Sequence, residues 1–100
     1  MVVDLNDVCS IMGRLANVNG EDILSPKRAW PLPACRSIIF KHYRKLGLTG
    51  DHIGKMFNRD HSTVFAGLNR LQNWIEAHDK YVTYLYEKFN DECGGDDGVY

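Results

Sequence analysis

Residues 53–71 read IGKMFNRDHSTVFAGLNRL, and the organisation of the chain follows from this stretch. Ile53, Met56 and Phe57 make a short inward-facing apolar segment. Asn58-Arg59-Asp60 interrupts it, and a second helical pattern starts at His61. In that second pattern Val64, Leu68, Leu71 and Ile75 recur at three- and four-residue steps, which puts them on one core-facing side. Ala66, Gly67 and Asn69 are expected on the outward face, small or polar where a ligand could approach. Gly67 weakens a helix by roughly 1 kcal/mol relative to Ala, so a steric reason for it is expected. Gly54 is small where a second helix could cross closely. Asp60 stands where it can cap the second helix by accepting from the amide of Ser62 or Thr63. Arg59-Asp60-His61-Ser62-Thr63 have little use for a hydrophobic core, yet they sit where a helix begins. Two helices around a short polar turn predict a helix-turn-helix over about residues 49–77.

Working outward, Asp4 to about Asn17 predicts a first helix, with Leu5, Val8, Cys9, Met12, Leu15 and Ala16 on one face and Asp4 as its cap. Asp22 to Ser25 predicts one further turn pinned by Ile23 and Leu24. Residues 25–33, SPKRAWPLP, hold three prolines and predict a loop, with Lys27 and Arg28 as its charges and Trp30 packed beneath it. Ala34 to Leu46 predicts a helix stopped by Gly47. Ile38, Ile39, Tyr43 and Leu46 form its buried side, and Arg36, Lys41, Arg44 and Lys45 form a basic opposite side. Thr49 or Asp51 starts the short helix to Phe57. A last helix spans about Asp79 to Asn90 on Val82, Leu85, Tyr86 and Phe89. The fold class is therefore all-α: one compact domain of about five helices over residues 1–90, followed by an acidic, glycine-rich tail at 91–100.

The formal net charge is −1, but it is unevenly distributed. Residues 23–75 carry nine Lys/Arg against Asp51 and Asp60, a balance of +7, while both flanking segments are acidic. A polyanion meets the middle of such a chain rather than its average. Cys9, Cys35 and Cys93 lack metal-ligand or redox spacing and are expected as reduced thiols, Cys93 within the tail. No basic region followed by an apolar run opens the chain, so no signal peptide is expected. No apolar stretch reaches the roughly 20 residues that span a bilayer. A cytoplasmic location, without membrane contact, is the expectation.

At residues 53–64 the sequence resembles the C-terminal DNA-binding domain of the bacterial replication initiator DnaA. That family has an Ile-Gly, a short helix ending in Phe, and Arg-Asp-His-Thr-Thr-Val before a helix. The same places hold Ile53-Gly54, Phe57 and Arg59-Asp60-His61-Ser62-Thr63-Val64, with Ser62 keeping the hydroxyl of a threonine. Asp22-Ile23-Leu24-Ser25 is similar to the family's Asp-Leu-Leu-Ser before its basic loop, and the resemblance covers about residues 4–90. It implies an all-helical, Trp-repressor-like fold that binds double-stranded DNA, with the second helix of the pair in the major groove. It also implies base contacts from Asp60, His61 and Ser62. Arg59 and Thr63 would lie at phosphates, and the Lys27-Arg28 loop at the minor groove. Lys55, Arg44 and Lys45 would add charge along the backbone. The roles are chemically sound: Asp accepts from cytosine N4, His donates to a base acceptor, and a hydroxyl serves either way. Pro26, Ala29, Trp30, Pro31, Leu32 and Pro33 make this loop less basic than the family's, which affects minor-groove reading first. The chain has no GxxxxGK[ST] phosphate loop, so neither nucleotide nor other cofactor is expected. The expectation is the DNA-reading module standing alone, with a role in replication initiation or its regulation.

Two other classes are weighed against DNA binding. The acidic ends suit a helical protein-interaction module of the same fold that has lost DNA affinity. Asp60-His61-Ser62 has the residue types of a hydrolytic triad, but consecutive helix residues point around the axis and do not face one another. His42, His52, His61 and His78 lack i,i+4 pairing, so neither catalysis nor a metal site is expected.

Overall fold

Ala34 through Phe40 are all buried. A helix covered on every side belongs at the centre of its domain. The computed structural model describes residues 1–94, and in it α3 (Leu32–Lys45) has that place. Around it lie α1 (Leu5–Ala16), α2 (Gly20–Leu24), α4 (Gly50–Met56), α5 (His61–Glu76) and α6 (Lys80–Phe89). A π-helical turn, Asn90–Gly94, follows. Each of the five other helices packs against α3, and the described residues contain no strand. None of the helices is long and apolar enough to cross a membrane.

Local signals set most of the boundaries. Asp4 Oδ1 accepts from the amides of Asn6 (2.9 Å) and Asp7 (3.2 Å), and Asn17 ends α1 in the left-handed region at φ 59°. Asn19 caps α2, Thr49 accepts from the His52 amide, and Asp79 from the Val82 amide. These are short polar side chains at N-cap positions, each satisfying an amide that the helix leaves open. α2 begins two residues before the expected turn, because Asn19 supplies the cap. α3 begins at Leu32 rather than Ala34, since Pro33 fits the first helical turn.

Five expectations are corrected by packing. Gly67 is buried, not outward: a Cβ there would stand 2.8 Å from Cδ2 of Phe40, so the glycine lets α5 approach α3. The Phe40 ring cannot yield easily, because it packs edge-on against Phe57 at 5.0 Å. Gly54 admits a turn rather than a crossing helix. Its Cβ would stand 2.5 Å from the Arg59 carbonyl, and its own carbonyl accepts from the Arg59 amide at 2.7 Å. Arg36 is buried, where a solvent-facing basic side was expected. Trp30 is 56% exposed instead of packed beneath its loop. Cys93 is buried within the π-helical turn instead of lying in a tail that starts at 91. The remainder of the expected tail, 95–100, lies outside the described residues.

The N-terminal end of the described chain is tied to α3, and the C-terminal end to the N-terminal end and α1. His42 Nε2 donates to the Val2 carbonyl at 2.7 Å, and the Tyr43 hydroxyl donates to the Val3 carbonyl at 2.6 Å. The Val2 amide donates to the Cys93 carbonyl at 3.0 Å, and Arg14 pairs with Glu92. Burial pushes the Cys9 and Cys93 thiols up to about 11 and the Cys35 thiol up to about 12. Such thiols carry little thiolate and act as small apolar core groups.

Two stability measurements check this packing. Gly67→Ala gains helix propensity but overpacks the α3–α5 contact, and the net is a loss of about 1–2 kcal/mol in denaturant unfolding. Burial, outweighing the Val2 bond, holds His42 below its ordinary value. The unfolded chain therefore binds a proton that the folded chain refuses once pH drops below about 6.5. Stability should fall as pH drops below about 6.5, and His42→Gln should flatten that fall.

Candidate nucleic-acid interface

The turn between α4 and α5 is built from Phe57 to Asp60. Asn58 takes the left-handed conformation at φ 56°, as asparagine tolerates. Asp60 occupies the N-cap position of α5 with extended backbone angles, but its carboxylate makes no capping hydrogen bond. The Thr63 amide is met by the Asp60 backbone carbonyl at 3.1 Å instead. The expected side-chain cap to Ser62 or Thr63 is therefore absent. An exposed carboxylate is left at the helix start beside exposed His61 and Ser62. His61 is held from α4: its Nδ1 lies 3.2 Å from Asp51 Oδ1, and its ring packs edge-on against Phe65. The base-contact candidates thus sit together at one helix end, while Thr63 is half-buried and Lys55 is exposed on α4.

The basic loop is joined to this turn through one atom. The Ser25 carbonyl accepts from Arg36 Nη2 at 2.7 Å and from Arg59 Nη2 at 2.8 Å. Arg36 also donates to the carbonyls of Ile23 (2.7 Å) and Asp22 (2.9 Å), so its charge lies against the end of α2. Carbonyls at a helix C-terminus are left open by the helix and carry its negative dipole end, which suits a guanidinium. Burial first, and Arg59 second, hold Arg36 below its usual value. Burial and then Arg28 do the same for Arg59. Arg59 therefore contributes charge near the turn while part of its donor set is engaged within the protein. Lys27 is also partly committed, with its ammonium 3.1 Å from Asp22 Oδ1.

Two grooves flank α5, and neither is lined by an acidic residue. One, of about 450 Å³, lies between α5 and the C-terminal half of α3 and includes Lys41, Arg44 and Lys45. Arg44 Nη1 donates to the Leu48 carbonyl at 2.9 Å, and the Lys45 ammonium lies 5.2 Å from the Tyr86 ring centroid. The other, of about 650 Å³, lies between α5 and the proline-rich loop and includes Arg28, Arg59 and Arg70. Lys41 and Arg70 were not among the expected site residues. Arg70 had a legible signal: Thr63, Ala66, Arg70 and Trp74 follow at three- and four-residue steps and line the same groove.

No protein-family model and no curated protein matches this chain.

The double acceptance at Ser25 can be tested on stability. Arg36→Lys cannot reach three carbonyls with one ammonium. It should lose roughly 1.5–3 kcal/mol in urea unfolding, and an unchanged midpoint would remove Arg36 as the anchor of the loop.

Proposed function

We propose that the chain binds double-stranded DNA sequence-specifically, using α4 and α5 as a helix-turn-helix with α5 in the major groove. The observation that carries this reading is the start of α5. Asp60, His61 and Ser62 are exposed together there, the Asp60 carboxylate is not used as a cap, and an acid-free basic groove runs along each side of the helix. A helix N-terminus in the major groove presents its first side chains to base edges. The resemblance of residues 53–64 to the DnaA C-terminal domain supports the same assignment and suggests a role in replication initiation or its regulation, at the nucleoid.

In this reading Asp60, His61 and Ser62 discriminate bases. Lys55, Thr63, Arg59, Arg44 and Lys45 hold phosphates, which positions the protein without specifying sequence. The 3.2 Å contact of Nδ1 to Asp51 orients the His61 ring and leaves Nε2 for a base edge, as an acceptor in the neutral ring and a donor in the imidazolium. Arg28 is the better candidate of the loop pair for the minor groove, since Lys27 is paired with Asp22.

The experiment is a selection of bound duplexes from a random pool, followed by titration against salt. Duplex affinity should drop steeply between roughly 50 and 200 mM salt. His61→Ala should weaken the selected site by roughly 1–3 kcal/mol and relax its discrimination. Lys55→Ala should weaken all duplexes alike and reduce the salt slope by about one. Failure to bind any duplex at the low-salt end would falsify the reading.

A further inference from the structure

The groove between the proline-rich loop and α5 has a composition that phosphate contact alone does not require. Arg28, Arg59 and Arg70 line it with no carboxylate among the lining groups. Trp30 and Trp74 line it too, with ring centroids 5.6 Å apart and planes at 75°. Trp30 is 56% exposed, although it is the largest apolar side chain of its loop. The buried Ser37 hydroxyl, also among the lining groups, has no hydrogen-bond partner. Exposed indole favours a planar apolar partner, and arginine without a carboxylate favours a phosphate. A nucleotide offers both on one unit. In a duplex the base faces are covered by their neighbours, so the indole would meet only edges and backbone. An unpaired nucleotide leaves its face open, and aromatic platforms in basic channels are the usual means of holding one. The volume of about 650 Å³ is ample for a base and its sugar.

We propose that this groove binds single-stranded nucleic acid, with a base stacked on Trp30 beside Trp74 and the adjoining phosphates on Arg28, Arg59 and Arg70. The groove shares Arg28 and Arg59 with the proposed duplex face, whereas Trp30, Trp74 and Arg70 have no role there and test the single-strand site separately. A chain carrying both sites would grip a strand where a duplex opens.

The chain has two tryptophans, and both line this groove, so intrinsic emission reports directly on its occupancy. The full chain is titrated with a short oligothymidine, with a blunt duplex of unrelated sequence, and with inorganic polyphosphate of matched charge, at about 50 mM salt. Oligothymidine should quench emission saturably, and more strongly than either of the other two. Trp30→Ala should weaken oligothymidine binding roughly tenfold, measured by anisotropy of a labelled strand, and leave duplex affinity within about twofold. Arg70→Ala should weaken the same binding several-fold with unchanged unfolding. Both side chains are exposed, so the variants are expected to fold, and circular dichroism checks this. His61→Ala should leave oligothymidine binding unchanged. A parent chain that binds oligothymidine but no duplex would sink the helix-turn-helix reading and support this one. No quenching by oligothymidine overturns the proposal. So does equal quenching by duplex or polyphosphate, or Trp30→Ala binding oligothymidine as tightly as the parent.

Discussion

The carbonyl of Ser25 accepts from Arg36 at 2.7 Å and from Arg59 at 2.8 Å, and the placement of the whole basic region depends on that shared acceptor. Arg36 belongs to the central helix and Arg59 to the turn before α5. The atom they share lies at the C-cap of α2, where the proline-rich loop departs. Three pieces of chain distant in sequence are thereby held in one arrangement. Burial is the main reason both guanidinium groups lie below their ordinary values, with Arg59 adding to it for Arg36 and Arg28 adding to it for Arg59. Asp22 offsets part of this charge, but no acidic residue lines the groove that Arg28, Arg59 and Arg70 share. A polyanion is the natural counter-charge for such an arrangement.

The charge separation visible along the chain persists in three dimensions. Both grooves beside α5 are free of acidic lining residues, whereas Glu92 near the described C-terminal end is paired with Arg14. A net charge of −1 therefore says little about the potential at the face that matters. The close approach of α5 to α3 has the same functional weight. Gly67 against Phe40, with Phe57 behind that ring, fixes how α5 lies on the domain and therefore where His61 and Ser62 emerge.

Much of the candidate site was legible because its signals are local. The polar break at Asn58-Arg59-Asp60 marked the turn and the start of α5. The three- and four-residue spacing marked the buried stripe through Val64 and Leu71, both of which are buried. What could not be read were partners supplied by other elements. Nothing near Arg36 in sequence announces the carbonyls at the end of α2. The pairing of His61 with Asp51 needs α4 and α5 side by side. Trp30 was expected beneath its loop, yet only the position of Trp74 and Tyr81, at 5.6 and 6.1 Å, shows it at a groove edge.

The sequence by itself determined the all-α class, the helix boundaries to within about two residues and the clustering of basic residues. Those properties follow from periodicity, capping side chains and prolines, which act within a turn or two of chain. The tertiary structure alone decided which arginine is buried and which is free, that Gly67 faces inward, that Cys93 belongs to the core, and that Asp60 keeps its carboxylate uncommitted. Each of these depends on a contact whose partner is set by packing, or on a backbone group whose availability is settled only when the turn closes. The stretch from Ile53 to Leu71 thus announced its own helices, while the surfaces on either side of it were made by the rest of the fold.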